Sequence, residues 1–285
     1  MTTFTFTKNL MSRAATLNPL TAMGLFLFTI ILVVSFGAPL IAPYDPLDQD
    51  ILGRLEGVSA EHWLGTDVFG RDTLSRILHG AKLSLIIGLI STGIALIIGT
   101  ALGIIAGYFG GWIDIVVMRM MDILLAFPTL ITGLLIVAVL GTSPINIVVA
   151  IAVTLAPNFA RVARAPTITL REREFVEACR ALGYSNTRIM VVHILPNVIG
   201  EVVVLASLWT ASAIMIEAYL SFIGLGVAPP TPTLGGMIRQ GLDNILEVPW
   251  VTIYPGLAIM LIVLALNLIG DGVRDAIDPK AGGRS

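Results

Sequence analysis

Charged residues are scarce in this sequence. Only 13% of the 285 residues are Asp, Glu, Lys or Arg, whereas 56% are hydrophobic, and the mean hydropathy is +0.91. A soluble domain carries about 25% charged residues, so the composition predicts a polytopic membrane protein. No basic patch interleaved with aromatic residues is present, and we expect no nucleic-acid partner.

Residues and motifs that support chemistry are also scarce. The single cysteine, Cys179, excludes an internal disulfide and a cysteine-only metal or iron–sulfur site within this chain. The three histidines, His62, His79 and His193, do not fall on the same side of the predicted membrane. The sequence contains no Walker A motif, no His-Glu-x-x-His and no Gly-x-Ser-x-Gly. We therefore expect no cofactor, no metal, no catalytic residue and no enzyme activity.

Long uncharged runs divide the chain into six predicted spans, and the first, residues 20–41, is long enough to cross about 30 Å of hydrocarbon as a helix. The predicted spans cover residues 20–41, 83–106, 119–140, 145–160, 198–222 and 250–269. The first run is longer than the roughly 7–15 apolar residues of a signal peptide, so we interpret it as an uncleaved span. The predicted fold is all-α, with tails at 1–19 and 272–285, a polar segment at 42–81 and a core domain at 82–271.

The distribution of Lys and Arg predicts the orientation of these spans. Twelve of the 17 lie in the two tails, the turn between the second and third spans, and the loop 161–196. The other five lie in the segments on the opposite side, 42–81 and 223–249, or at their edges. The positive-inside rule therefore places both termini and the loop 161–196 in the cytoplasm.

The loop 161–196 is the most charged part of the chain, and its pattern predicts two short helices with a break between them. Gly183 is suited to end the first helix because glycine adopts the left-handed conformation without a Cβ penalty. Ser185 or Asn186 can cap the second helix, and Pro196 predicts its end or a kink. Five apolar residues fall close to one face of the first helix: Ile168, Phe175, Val176, Cys179 and Leu182.

Glycines recur at four-residue spacing in the second span. Gly99, Gly103 and Gly107 lie on one helix face, where small residues permit close packing against another helix. This pattern favours packing, and a substrate path is the alternative interpretation.

Several motifs along the chain resemble one known family. Glu177-Ala178-Cys179-x3-Gly183-x9-His193-Ile194-Leu195-Pro196 is similar to the EAA loop of binding-protein-dependent ABC importer permeases. Cys179 and His193 depart from the general consensus, although His-Ile-Leu-Pro-Asn is usual in the dipeptide/oligopeptide/nickel branch. Four further segments resemble C-type subunits of that branch: residues 62–76, 217–232, 249–256 and 267–279.

This resemblance implies a type I ABC importer permease fold in the bacterial inner membrane. It also implies four kinds of partner: a second, B-type permease, two cytoplasmic ABC ATPases, an external solute-binding protein and membrane lipid. The coupling helix would lie at about 183–192. The residues that the resemblance assigns to ATPase contact or orientation are Glu177, Ala178, Gly183, Tyr184, Ser185 and Arg188.

Ionisable groups near the membrane need partners because their burial in lipid is costly. This requirement applies to four residues: Arg119, Asp122, Glu201 and Glu217. Glu217 is a candidate for the translocation path or for contact with the binding protein, and an interhelix contact is the alternative. Arg71 and Asp72 are candidates for the same contact, whereas the neighbouring Gly65-Thr66-Asp67 also fits turn chemistry.

The absence of a nucleotide site and the resemblance together predict a transport permease driven by a separate ATPase. The expected cargo is di- or oligopeptides, and nickel chelates, opines and glutathione-like solutes are the alternatives within the same machinery. An intramembrane enzyme is a remote alternative, since Glu201 and Glu217 lie at opposite ends of one span. A scaffold protein would not need the glycine-broken loop.

Overall fold

The computed structural model describes residues 18–277, and the tail residues 1–17 and 278–285 lie outside that range. The described residues form helices and one isolated β-bridge between Thr66 and Asp72. The α-helices in chain order are α1 (Pro19–Phe36), α2 (Ala38–Ile41), α3 (Thr73–Phe109), α4 (Gly111–Leu125), α5 (Thr129–Leu140), α6 (Pro144–Arg171), α7 (Glu174–Ala181), α8 (Asn186–Arg188), α9 (Leu195–Phe222), α10 (Leu234–Gly241) and α11 (Trp250–Ile277). A π-helical turn, Ile189–Ile194, joins α8 to α9, and a 3₁₀ turn, Leu242–Asn244, follows α10.

Five helical stretches of the described residues are long and apolar enough to cross a membrane. Helices α4 and α5 together can form a sixth span, which is bent. The bend between α4 and α5 is 92°, so residues 119–140, where the third span is predicted, do not form one continuous helix. Pro128 accounts for the break, because proline lacks an amide hydrogen and disfavours helical geometry at the residue before it. The helices α3 and α6 extend well beyond the predicted spans 83–106 and 145–160.

Helices α3 and α6 form the tightest helix pair, and glycines of α3 allow the two backbones to approach closely. A Cβ added to Gly99 would lie 2.4 Å from the carbonyl oxygen of Ala156, and one added to Gly103 would lie 2.3 Å from that of Ala160. At Gly107 the nearest atoms would be 2.9 Å away, on Arg164 and Thr167. The predicted packing role of these three glycines, which form the glycine line of α3, is therefore confirmed.

The remaining spans surround this pair. Helix α9 packs on α3, α6 and α11, and α1 packs on α11. Close approaches again occur at glycines, such as Gly88 of α3 against Ile214 of α9 and Gly24 of α1 against Leu268 of α11. Many large apolar side chains on the outer faces are exposed, as expected for helices whose solvent is lipid.

Candidate functional site

The break in the coupling loop (residues 161–196) has the geometry that its sequence predicts. Helix α7 ends at Ala181, and Gly183 has a φ of 78°, in the left-handed region. The Gly183 amide donates to the carbonyl of Arg180 at 2.9 Å, and the Tyr184 amide donates to that of Cys179 at 3.1 Å. These bonds satisfy two of the last carbonyls of α7 at the point where the chain leaves the helix. The prediction that Gly183 ends the first helix is confirmed.

The second helix of the loop begins at the Ser185 cap. The Ser185 hydroxyl accepts a hydrogen bond from the Arg188 amide at 3.3 Å, which decides between the two predicted caps. The helical stretch then continues without interruption from Asn186 to Phe222, which excludes a helix end at Pro196, one of the two predicted alternatives. Pro196 lies in the first turn of α9, where a missing amide hydrogen is tolerated. The loop is therefore directly continuous with a membrane span.

Most of the residues assigned to ATPase contact lie on the exposed side of the loop. Five of them are exposed, and Tyr184 is half-buried: the exposed ones are Glu177, Ala178, Gly183, Ser185 and Arg188. The opposite side of α7 is held by Val176 and Cys179, which are buried. The predicted apolar face is only partly correct, because Phe175 and Leu182 are 40% and 73% exposed. The loop thus presents polar groups and an apolar Leu182 together on one surface.

Aromatic and cationic contacts hold the second half of the loop in position. The Tyr184 and His193 rings stack with centroids 6.0 Å apart, and the Arg188 guanidinium lies 4.2 Å from the Tyr184 ring centroid. Tyr184 and Arg188 thereby orient each other. His193, which departs from the general consensus, supports Tyr184, and Cys179 lies on the buried side of α7.

Tyr108 is a residue of this site that the sequence did not single out. Its hydroxyl donates to the side-chain oxygen of Asn186 at 2.9 Å, and the Arg180 guanidinium lies 5.3 Å from its ring centroid. Tyr108 sits near the end of α3, and 78 residues separate it from Asn186. No local pattern could have found this contact, although Tyr108 directly follows the glycine line. It connects both halves of the loop to α3.

Two ion pairs connect α4 to the part of α6 that belongs to the coupling loop. Arg164 makes a bidentate contact with Asp114, with both N–O distances at 2.5 Å. Arg161 contacts Asp122 at 2.6 Å, which supplies the partner expected for Asp122. Arg119 and Glu201 are exposed and have no ion-pair partner within residues 18–277.

The polar segment before α3 folds into a compact cap segment (residues 42–72) with buried charges. The Asp67 carboxylate lies 2.7 Å from Arg71 and 3.2 Å from Arg76. Asp72 caps α3 by accepting from the Ser75 amide at 2.7 Å. Arg71 and Asp72 are 3% and 2% exposed, so a contact with a binding protein, which stays a prediction, would require this segment to open.

Long-range contacts extend this cluster of charges. His62 Nδ1 lies 3.0 Å from Asp72 Oδ1, and Arg71 donates to the side-chain oxygen of Gln240 in α10 at 3.0 Å. A cavity of about 570 Å³ lies between the cap segment and the α9–α10 connection. Its lining includes the buried Arg76 and the exposed Arg239 and Asp243.

Glu217 is fully buried and links two spans. Its carboxylate accepts from the Ser84 hydroxyl of α3 at 2.6 Å and from the Ser221 hydroxyl of α9 at 2.8 Å. These contacts supply the interhelix partner that the sequence required, although the sequence could not identify Ser84. Only Ser221 also lines the 570 Å³ cavity. A direct role of Glu217 in translocation or in binding-protein contact remains a prediction.

The architecture described above is that of a known class of membrane protein. Residues 99–283 match the family model of the binding-protein-dependent transport system inner membrane component. Residues 16–56 match the model of the N-terminal TM domain of oligopeptide transport permease C. The chain therefore belongs to the family of binding-protein-dependent transport system inner membrane components, and it is a multi-pass inner membrane permease.

Curated relatives place the chain more closely within that family. It is 46% identical to the dipeptide transport system permease protein DppC of Alkalihalophilus pseudofirmus over 92% of this chain and 86% of that protein. It is 47% identical to the di/tripeptide transport system permease protein DppC of Pseudomonas aeruginosa, over 91% and 88%. It is 43% identical to the glutathione transport system permease protein GsiD of Pectobacterium atrosepticum, over 91% and 86%. The predicted resemblance to C-type permeases is confirmed.

A solved structure supports the fold independently. The inward-facing MetNI methionine ABC transporter aligns with a TM-score of 0.56 at 18% identity, over 71% of this chain and 96% of the MetNI chain. At this identity the similarity concerns the fold alone. It confirms the predicted all-α permease fold of an ABC importer.

Proposed function

We propose that this chain is the C-type permease subunit of an ATP-driven importer for small peptides. The observation that carries the proposal is the exposed coupling loop, which is continuous with a membrane span in a chain that has no Walker A motif of its own. Such a loop is suited to receive a conformational change from a separate ATPase. The names of the peptide permeases that resemble the chain support the cargo.

The proposed assembly contains this chain, a B-type permease, two cytoplasmic ATPases and an external solute-binding protein. ATP hydrolysis belongs to the ATPases. The excess of Lys and Arg in the tails and the coupling loop supports a cytoplasmic location for both. The cap segment then lies outside, in reach of the binding protein.

The coupling loop would transmit motion by two routes. Glu177, Gly183, Ser185 and Arg188 offer exposed polar groups and an approachable backbone to the ATPase. One route continues directly through the π-helical turn into α9. The other passes through Tyr108 into α3, which packs along α6. A rigid-body rotation of these helices would alternate access between the two sides of the membrane.

The proposal of a peptide cargo is based on relatives that are named for two different solutes, dipeptides and glutathione. Dipeptides and glutathione share amide bonds and free carboxylates, so the permease relatives named for them handle one chemical class. Nickel chelates and opines remain alternatives within the same machinery. The solute-binding protein would supply most of the affinity, which leaves the permease tolerant among small peptides.

The proposal is tested by reconstituting the chain in proteoliposomes with its B-type permease, ATPases and binding protein. Uptake of labelled dipeptide, tripeptide, glutathione and a nickel chelate is measured with ATP and with a non-hydrolysable analogue. We expect ATP-dependent uptake of at least one peptide and no uptake with the analogue. ATP-dependent uptake of the nickel chelate alone would refute the peptide cargo, and uptake that is independent of ATP would refute the importer mechanism.

A further inference from the structure

The break between α4 and α5 is non-helical and lies within the uncharged run 123–160. Helix α5 has 12 residues and a length of about 18 Å, which is too short to cross about 30 Å of hydrocarbon. The residues of the break, Ala126, Phe127 and Pro128, are all exposed. Non-helical backbone at membrane depth is tolerated only where protein or a water-filled cavity covers it. No described part of this chain buries these three residues.

A cavity of about 310 Å³ lies beside this break. It is bounded by the start of α5, the middle of α9 and the second half of α11. Four of its lining residues can form hydrogen bonds: Thr129, Trp209, Ser212 and Asn267. No charged side chain lines it. The cavity thus joins three spans around neutral polar groups.

The polar groups of this cavity are not used by the fold. Asn267 is exposed and Ser212 is half-buried, and neither side chain forms a hydrogen bond with any residue between 18 and 277. A carboxamide facing lipid without a partner is costly. The exposed face of α9 continues from Ser212 through Met215 to Tyr219, at helical spacing. This face runs from the cavity toward the end of α9 that holds Glu217.

We propose that this cavity is a solute-passage subsite, at which Ser212 and Asn267 form hydrogen bonds with the amide groups of a small peptide in transit. The inference rests on the proposed function and assigns residues to its translocation path. Neutral donors and acceptors bind amides weakly and do not distinguish charged side chains. A subsite of this kind lets peptides of different sequence pass without being trapped.

Accessibility of introduced cysteines tests the passage directly. The single native cysteine, Cys179, is buried and is first replaced by Ala. Ser212→Cys and Asn267→Cys are then compared in the reconstituted transporter with Phe26→Cys, whose parent side chain is 70% exposed on the outer helix α1. A charged methanethiosulfonate reagent is applied without nucleotide and after trapping with ATP and vanadate. We expect both cavity cysteines to react at least about tenfold faster than the control in one of the two states, because reaction requires water and a thiolate.

Two results would overturn the inference. One is reaction as slow as that of Phe26→Cys in both states, which indicates a cavity filled by lipid. The other is fast reaction in the isolated chain that is lost in both states of the full complex, which indicates a contact with the second permease. The labelling requires no cargo, so it remains decisive even if the wild-type transporter proves not to carry peptides.

Peptide uptake provides the second readout. We expect Asn267→Leu to lower the uptake of a dipeptide by about fivefold, the effect of losing one hydrogen bond, and Asn267→Gln to retain most of it. Dipeptide should also slow the labelling of Ser212→Cys. If the wild type transports dipeptides and Asn267→Leu transports them equally well, the assigned role of Asn267 is wrong. If the wild type transports no peptide, the proposed cargo fails instead.

Discussion

The coupling loop and the cap segment are both polar connections between spans, but they use their charged residues differently. The loop leaves Glu177 and Arg188 exposed, and its shape depends on backbone hydrogen bonds, a serine cap and stacked rings. The cap segment buries Asp67, Arg71 and Asp72 and joins them to α3 and α10. Exposed charge is available to a partner, whereas buried charge is committed to the fold. Substitutions in the two regions should therefore fail in different ways.

The largest effect is expected in the cap segment. Asp67→Ala leaves Arg71 and Arg76 buried without their shared carboxylate, and we expect the loss of about 3–5 kcal/mol of stability. The protein should fail to accumulate in the membrane or should unfold at a much lower temperature. Asp243→Ala, which removes an exposed carboxylate near the 570 Å³ cavity, is the control and should change stability by less than about 0.5 kcal/mol. Equal stability of the two variants would contradict the distinction between buried charges that stabilise the fold and exposed charges that do not.

The next largest effect is a loss of transport in a protein that still folds. Gly183→Asp should abolish ATP-driven uptake while the protein still accumulates, because the bulkier residue blocks the approach of the ATPase and strains a φ of 78°. Gly111→Asp is the matched control: Gly111 has a φ of 55°, and, as at Gly183, nothing lies within 4 Å of an added Cβ. Wild-type uptake by Gly183→Asp, or equal loss in both variants, would show that the loop has no special role.

A smaller effect is expected at the contact between the loop and α3. Tyr108→Phe removes the hydrogen bond to Asn186 but keeps the ring beneath Arg180. We expect uptake per ATP hydrolysed to fall by up to about fivefold, corresponding to about 1 kcal/mol. The double variant with Asn186→Ala should be no worse than the more severe single variant. Additive losses in this cycle would indicate that the two side chains act independently.

The smallest effect is expected in the ion pairs between α4 and α6, which should differ in how much stability each contributes. The Arg161–Asp122 pair is about half exposed, with side-chain exposures of 54% and 49%, whereas those of Arg164–Asp114 are 33% and 19%. Arg161→Ala should lower stability by less than about 1 kcal/mol, and Arg164→Ala should cost more because its contact is bidentate and less exposed. Thermal unfolding in detergent measures both. A larger loss from Arg161→Ala would reverse the expected order.

Local features of the site could be predicted from the sequence. Gly183 and Ser185 act within a few residues of themselves, so a pattern of residue types is enough to indicate the helix end and the cap. The same holds for Gly103 and its neighbours, whose spacing specifies a helix face. Pro196 left two alternatives open, an end or a kink, because proline tolerates the first turn of a helix as well as it ends one.

Contacts between distant segments could not be predicted in this way. The Arg71–Gln240 contact joins residues 169 positions apart, and the Glu217–Ser84 contact joins residues 133 apart. Their partners depend on helix packing, which no periodicity encodes. The break at Pro128 had a visible signal, the proline itself, which the prediction of a span at 119–140 did not use.

The two contrasting regions are attached to opposite ends of one helix. Asp72 caps the first turn of α3, and Tyr108 is the penultimate residue of the same 37-residue helix. A helix of that length measures about 55 Å, so a tilt of about 5° would displace one end by about 5 Å relative to the other. Backbone contact with α6 at Gly99, Gly103 and Gly107 stiffens the last third of this lever, next to the coupling loop. A small displacement at the coupling loop would therefore be delivered to the cap segment as a lever movement, without a relay of side chains in between.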